Sequence, residues 1–170
     1  MNYFKLFDLP ELFKINIKTL VLKFYKLQKK YHPDINHDFS KIKKNDFLNM
    51  SININKGYSI LKSSVKRAKH LLYLNLYDFE KEKHNICKKN FLHKQLELYE
   101  KLEMLKNSPD KNLEIHHFFK KLKSKRKHHL SHLELMLNIQ EWNLAAIELY
   151  KFSFYKKIIK VIKKLEIYKN

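Results

Sequence analysis

The chain has 170 residues, enough for one or two small domains, and its one glycine and three prolines are too few for a fold with many tight β-turns. Its single cysteine excludes an internal disulfide framework and a zinc site made of cysteines alone. The net charge of +19 is almost all lysine, since only Arg67 and Arg126 are arginines, whereas dedicated nucleic-acid binders more often use the arginine fork.

The composition also argues against the hypothesis that the positive charge serves to bind nucleic acid or a membrane. Lys, Asn, Ile, Phe and Tyr are all abundant and have codons built largely of A and T, so a biased genome would produce the same excess. No apolar run approaches the roughly 18 residues of a membrane span, and the N-terminus lacks the layout of a signal peptide. We therefore expect a cytoplasmic protein whose main partner is neither nucleic acid nor a membrane.

The first predicted element is a short aromatic helix within residues 2–9, closed by Pro10. The next predicted helix spans Ile17–Tyr31, with Asn16 as its N-cap. Its apolar residues have the spacing of one buried stripe: Leu20, Phe24, Leu27 and Tyr31. Its other side carries cations and no acid: Lys18, Lys23, Lys26, Lys29 and Lys30.

The residues directly after this helix, His32, Pro33 and Asp34, are the centre of the functional prediction. Pro33 cannot donate a backbone hydrogen bond and disfavours a helical conformation at the residue before it, so the tripeptide is expected in an exposed loop. Asp34 could accept a bidentate pair from an arginine of another protein. A His-Pro-Asp tripeptide between a basic helix and a second helix resembles the J-domain, the module that stimulates ATP hydrolysis by DnaK-type chaperones.

A longer helix is predicted at residues 41–62, with a glycine, Gly57, inside it. Because glycine weakens a helix by about 1 kcal/mol relative to alanine, close backbone packing is expected at that position. Ser64 is predicted to cap a last short helix at residues 65–77.

Residues 78–89 are polar, have little periodicity and are predicted to link a domain at residues 1–77 to a domain at residues 90–170. The second half predicts three helices, at about residues 90–106, 111–137 and 140–168. Their connections are short, which favours an antiparallel three-helix bundle and an all-α fold throughout.

The first bundle helix has apolar residues on two faces. The stripe expected in the core is Phe91, Gln95, Leu98, Leu102 and Leu105. Leu92 and Leu96 lie about 100–140° from the centre of that stripe, beside the local acids Glu97, Glu100 and Glu103. A wide core stripe, packing of Leu92 on the neighbouring domain, or a docking patch would each explain this second face. Phe154 of the last helix is similarly off its stripe and could join such a patch.

The order of these parts resembles the HscB type of J-domain protein, the dedicated co-chaperone of iron–sulfur cluster assembly. The motifs that carry the resemblance are Tyr3-Phe4-x-Leu6-Phe7-x-Leu9-Pro10, Phe24-x-x-Leu27-Gln28-x-x-Tyr31-His32-Pro33-Asp34, Ile54-Asn55-x-x-Tyr58-x-x-Leu61, Arg67-Ala68-x-x-Leu71-Leu72, Phe91-Leu92-x-x-Gln95-Leu96-Glu97-Leu98 and Trp142-x-x-Ala145-Ala146. They cover essentially the whole chain. The J-domain motifs are shared by many proteins, and the helix that contains Gln95-Leu96-Glu97 is the feature that points to the HscB type among them.

The resemblance implies an L-shaped, all-helical protein whose J-domain, a helical hairpin with short flanking helices, recruits a specialised DnaK-type chaperone (HscA type). Its bundle would bind the iron–sulfur scaffold protein (IscU type). The implied chaperone-binding residues are His32, Pro33, Asp34, Lys23, Lys26, Lys29 and Lys30. The implied scaffold-binding residues are Leu92, His93, Leu96, Glu97, Glu100 and Phe154. Two positions depart from the family: His93 replaces a methionine, and Gly57 replaces the usual alanine.

No catalytic residue, cofactor or metal ligand is expected in this chain. One glycine cannot build a nucleotide-binding loop. His128 and His132 have the spacing of a zinc-binding pair, but without a convincing third ligand a solvated helix face is the favoured interpretation. On this reading ATP hydrolysis belongs to the chaperone, and this chain raises the effective concentration of scaffold beside it.

Two alternatives remain open from the sequence. One is a J-domain co-chaperone with a different client. The other is a protein that binds RNA or a membrane surface through its basic helices, at residues 120–127 and 156–164.

Overall fold

A computed structural model describes residues 1–31, 41–81, 91–108 and 111–167. Among the described residues, the helices whose limits are defined are α1 (Tyr3–Leu6), α2 (Ile17–Tyr31), α3 (Lys41–Lys62), α4 (Ser64–Leu74), α5 (Leu92–Lys106), α6 (Lys111–Asn138) and α7 (Trp142–Ile167). The described residues contain no strand, so the predicted all-α class is confirmed. None of these helices combines the length and the apolar character that a membrane span requires. The chain divides into two compact units, Met1–Leu76 and Tyr77–Asn170.

The first unit is built on a hairpin of α2 and α3. The rings of Phe24 and Tyr58 stack with centroids 4.0 Å apart, and Gln28 Nε2 donates to Asn55 Oδ1 at 2.9 Å. Residue numbers rise along α2 as they fall along α3, so the two helices are antiparallel. Asn16 caps α2 as predicted, because its Oδ1 accepts from the backbone N–H groups of residues 18 and 19.

Gly57 lies where α1 crosses α3. A Cβ at this position would stand 2.7 Å from Cδ1 of Tyr3 and 2.9 Å from Cε2 of Phe7, closer than carbon atoms can approach. Both aromatic side chains are buried. The close packing predicted at Gly57 is therefore confirmed, and its cause is the aromatic helix α1.

The short helix α4 differs from its prediction at both ends. Its N-cap is Ser63 rather than Ser64, because Ser63 has the extended backbone of a cap and its side chain accepts from the N–H of Lys66. The helix ends at Leu74, three residues early, since Asn75 caps it and Leu76 takes a left-handed conformation with φ of 60°.

The second unit packs α5, α6 and α7 around one apolar cluster. Its buried members are Phe91, Leu102, Ile115, Phe118, Phe119, Leu122, Phe154, Tyr155, Ile158, Ile159 and Ile162. A tight turn containing Gln140, whose φ is 61°, reverses the chain between α6 and α7. The lysine-rich stretch of α6 stays helical throughout because Leu122, 1% exposed, still reaches the core from its middle.

Candidate interaction surfaces

The outer face of α2 presents lysines to solvent, as predicted. Lys26, Lys29 and Lys30 are exposed, and the opposite side of the helix is fixed in the core by Leu20, which is fully buried. The predicted tripeptide His32, Pro33 and Asp34 follows this helix directly but lies outside the described residues. The structure thus describes the helix that precedes the tripeptide and the basic face of that helix.

Lys23 has a second role that the sequence did not indicate. Its Nζ lies 2.7 Å from Oδ2 of Asp8 and also donates to the Asp8 carbonyl. Asp8 has a left-handed backbone, with φ of 47°, just after α1. The hydrogen bond from Lys23, with its positive charge, lowers the pKa of the Asp8 carboxyl. Lys23 therefore ties α2 to the end of α1 and is less free than its neighbours to meet a partner.

Two buried polar residues of α4 anchor the segments that precede the hairpin. Arg67 Nε donates to the carbonyl of Phe13 at 2.7 Å, and its Nη1 donates to the carbonyl of Leu61. His70 Nε2 accepts from the backbone N–H of Tyr3 at 3.2 Å, which requires the neutral ring. Burial, and secondarily the positive N-terminus, lower the pKa of His70. These contacts explain the Arg67-Ala68 motif as a structural feature of the first unit.

The second face of α5 is open to solvent. Leu92 and Leu96 are 50% and 53% exposed, whereas Leu102, on the core side of the same helix, is 1% exposed. Gln95 Nε2 donates to the hydroxyl of Tyr150 at 3.0 Å, which fixes the rotation of α5 against α7. The structure therefore favours a docking patch over a wide core stripe as the explanation of this leucine pair.

Polar residues adjoin the leucine pair. His93 Nε2 lies 3.1 Å from one carboxylate oxygen of Glu97, and Lys94 pairs with the other oxygen. The hydrogen bond from Lys94 is the main reason that the pKa of Glu97 falls below its ordinary value. Glu100 is exposed one turn further along. An apolar centre beside charged groups is the usual anatomy of a protein-binding surface.

Phe154 does not belong to this exposed patch, and its predicted place there needs correction. It is 8% exposed, and its ring meets those of Phe91 and Tyr99 edge to face, with centroids 5.3 and 5.9 Å away. The reason is that Phe91 and Tyr99, at the start of α5 and within it, lie against this part of α7 and cover the ring. Phe154 supports the helix that carries the leucines and is not part of the exposed surface of this structure.

Sequence reasoning missed a polar cluster between α6 and α7. His129 Nδ1 lies 2.7 Å from Glu148 Oε2, and Lys151 Nζ lies 3.1 Å from Glu148 Oε1. Burial, the largest single influence, would raise the pKa of Glu148, but the two hydrogen bonds together hold it below its ordinary value. The His129 ring also stacks on Tyr155. The two residues of the main pair are 19 positions apart in the chain, so no local pattern could have revealed them.

Among the described residues, the histidine-rich part of α6 does not assemble a set of side chains that could hold a metal ion. The rings of His128 and His132 are 4.2 Å apart, but no group of three or more His, Cys, Asp or Glu converges anywhere in the described ranges.

Comparison with known proteins identifies relatives over nearly the whole chain. Residues 87–163 match the family model described as the HSCB C-terminal oligomerisation domain. The co-chaperone protein HscB of Buchnera aphidicola subsp. Acyrthosiphon pisum is 37% identical over 164 residues, which cover 96% of this chain and 94% of the relative. The solved structure of the chaperone HscB from Vibrio cholerae superposes with a TM-score of 0.87, at 31% identity, with 98% of each chain covered. The crystal structure of the human co-chaperone HscB, at 22% identity, shares the fold with a TM-score of 0.85, covering 98% of this chain and 83% of the human one.

Proposed function

Because this chain belongs to the HscB family of J-type co-chaperones, we propose that it serves iron–sulfur cluster assembly by joining a scaffold protein to a DnaK-type chaperone. The scaffold is of the IscU type and the chaperone of the HscA type. The bundle binds the scaffold, the J-domain binds the chaperone, and ATP hydrolysis accelerates when both are held together. The chain itself catalyses no reaction.

The observation that carries this proposal is the half-exposed leucine pair of α5. Leu92 and Leu96 occupy the solvent side of a helix whose rotation is fixed by Gln95 and whose other side is in the core. Burying such side chains in a partner is favourable, whereas scattered single leucines on a surface need no partner. The neighbouring charged residues, Glu97 and Glu100, would sit at the rim, where they contribute more to specificity than to affinity.

The chaperone side of the proposal rests on α2 and the tripeptide that follows it. Exposed Lys26, Lys29 and Lys30 form a positive surface suited to an acidic partner. Residues His32 to Asp34 would then favour the hydrolysis-competent state of the chaperone through higher affinity for that state. Since the lysines are exposed, encounter with the chaperone should slow as salt is raised.

The test measures ATP turnover by the chaperone with each protein present alone and together. The variant His32→Gln should abolish the stimulation given by this chain while leaving its binding to the scaffold intact. The double variant Leu92→Ala with Leu96→Ala should instead weaken scaffold binding while the basal stimulation persists. If each change removed both activities, the assignment of one partner to each unit would be wrong.

A further inference from the structure

The lysine-rich stretches of the bundle lie on two neighbouring helices. Residues 120–127 of α6 contain six cations and no acid, and residues 156–164 of α7 contain five cations and no acid. The two helices pack directly against each other, with His129 of α6 paired to Glu148 of α7. Charges that are far apart in the sequence are thereby collected at one part of the bundle.

The register of the two helices brings specific cations together. His129 of α6 stacks on Tyr155 of α7, so Arg126, about one turn before His129, lies near Lys156, which follows Tyr155. Burial, and secondarily the charge of Arg126, lower the pKa of Lys156. Since α6 and α7 are antiparallel, Lys123 and Lys120, which precede Arg126 in α6, lie beside the part of α7 that follows Lys156. Two rows of cations therefore run side by side, and successive members of each row are about one 5.4 Å turn apart. We define the basic surface as Lys120, Lys123, Arg126, Lys127, Lys156, Lys160 and Lys163.

These cations are not neutralised within the described part of the chain. Most of them are exposed, and none lies within ion-pair distance of an acid among the residues whose side chains the structure describes, which in α7 end at residue 164. Three acids of the bundle pair with other residues: Glu97 and Glu103 with lysines of α5, and Glu148 with His129 and Lys151. Closely spaced like charges destabilise a surface unless a polyanion covers them.

We propose that the basic surface binds the phosphate backbone of nucleic acid without sequence preference. Two parallel rows of cations match a polymer with regularly spaced negative charges, and each neutralised phosphate releases a counterion. Phe118, Phe119 and Tyr155 are buried, and the exposed rings nearby are those of histidines such as His128, so contacts to phosphates rather than stacking on Phe or Tyr rings should dominate. Lysine binds phosphate as a point charge, and such a contact does not depend on the identity of the base.

A membrane surface fits the same cations less well. Helices that lie on membranes insert large apolar side chains beside their lysines. Along described residues 116–132 and 145–164, no large hydrophobic side chain is exposed; the exposed ones nearest in sequence are Leu113, Leu135 and Leu144. Binding of nucleic acid without sequence preference needs positive charge but no arginine forks, so a lysine-rich, arginine-poor surface is sufficient for it. This binding is a second activity of the chain and is independent of the proposed bridging role.

The test uses fluorescence anisotropy of the full chain with a labelled oligouridylate of about 20 nucleotides across a salt series. The variant Lys120→Gln, Lys123→Gln, Lys127→Gln removes three exposed charges. Since each phosphate contact contributes about −0.7 to the salt slope, the slope should lose about two units. The affinity at about 0.1 M salt should then fall on the order of 100-fold. The matching Lys→Arg triple variant should bind as the unaltered chain does.

A control separates this surface from net charge alone. The variant Lys26→Gln, Lys29→Gln, Lys30→Gln removes the same charge from α2 and should weaken binding by less than about threefold, because it leaves the phosphate contacts in place. Equal losses in both triple variants would overturn the proposal. Binding to anionic phospholipid vesicles without binding to the oligonucleotide would overturn it as well.

A second variant on the other row, Lys156→Gln, Lys160→Gln, Lys163→Gln, should repeat the loss of affinity. Retention of full affinity in this variant would contradict the two-row surface.

Discussion

Replacement of both Leu92 and Leu96 by alanine should weaken the binding of the scaffold protein while the chain remains folded. Both side chains are about half exposed, at 50% and 53%, so each has roughly half of its apolar surface left to bury in a complex. The rotation of α5 depends on Gln95 and the core residues, which the double variant leaves unchanged.

The size of the effect follows from that exposed area. Full burial of a leucine side chain contributes about 1.5–3 kcal/mol, so half of it is roughly 0.75–1.5 kcal/mol for each residue. The pair then accounts for about 1.5–3 kcal/mol of binding free energy. Since about 1.4 kcal/mol corresponds to a factor of ten, the dissociation constant should rise roughly 10- to 140-fold.

Isothermal titration calorimetry of each variant against a purified IscU-type scaffold measures this change directly. A matched control is Leu113→Ala on α6, because Leu113 is 63% exposed but lies on a different helix. The control should bind as the unaltered chain does. Chemical denaturation should show that both variants still unfold cooperatively; the double variant should lose at most about 1.5–3 kcal/mol, because the other half of each leucine is buried within the chain. An unchanged dissociation constant for a folded double variant would refute the location of the scaffold site on α5.

Three further predictions concern the structure behind these surfaces. Phe154→Ala should lower the free energy of unfolding by about 3–5 kcal/mol, measured by denaturant titration, because it removes a buried ring from the α5–α7 contact. Gly57→Ala should lower it by about 0–2 kcal/mol, since the overpacking against Tyr3 and Phe7 exceeds the gain in helix propensity of about 1 kcal/mol. As pH falls below about 6.5, the free energy of unfolding should decrease more steeply in the unaltered chain than in His70→Asn.

The sign of the pH effect follows from the buried neutral ring. The pKa of His70 is lowered in the folded state, so the unfolded chain binds the proton more readily. The stability that neutral His70 contributes is therefore complete well above the unfolded pKa and is lost as pH falls through it toward the folded pKa. Parallel pH profiles for the unaltered chain and His70→Asn would contradict this role.

The other two variants have their own contradicting outcomes. If Phe154→Ala were about as stable as the unaltered chain, the ring would not be part of the core. If Gly57→Ala were clearly more stable than the unaltered chain, α1 could move away from α3.

Sequence periodicity located the helices well because each has an apolar stripe of the right period. The limits of α2 and α3 coincide with their predictions. For α2 the reason is that Asn16 and Pro33 are local signals for a start and a stop. The end of α4 did not coincide with its prediction. Leu76 takes a left-handed conformation although it is not a glycine, and sequence rules do not anticipate this for leucine. The same periodicity separated the exposed Leu92 and Leu96 from the core stripe, since this depends only on angles within one helix.

Contacts between helices required the tertiary structure. The bond from Lys23 to Asp8, the pairing of His129 with Glu148 and the covering of Phe154 by α5 each join residues distant in the chain. A helical wheel assigns a side chain to a face but does not say which neighbouring helix covers that face. For this protein, the order of residues determined which surfaces each helix has, and packing between helices decided which of them, with their charges, remain available to a partner.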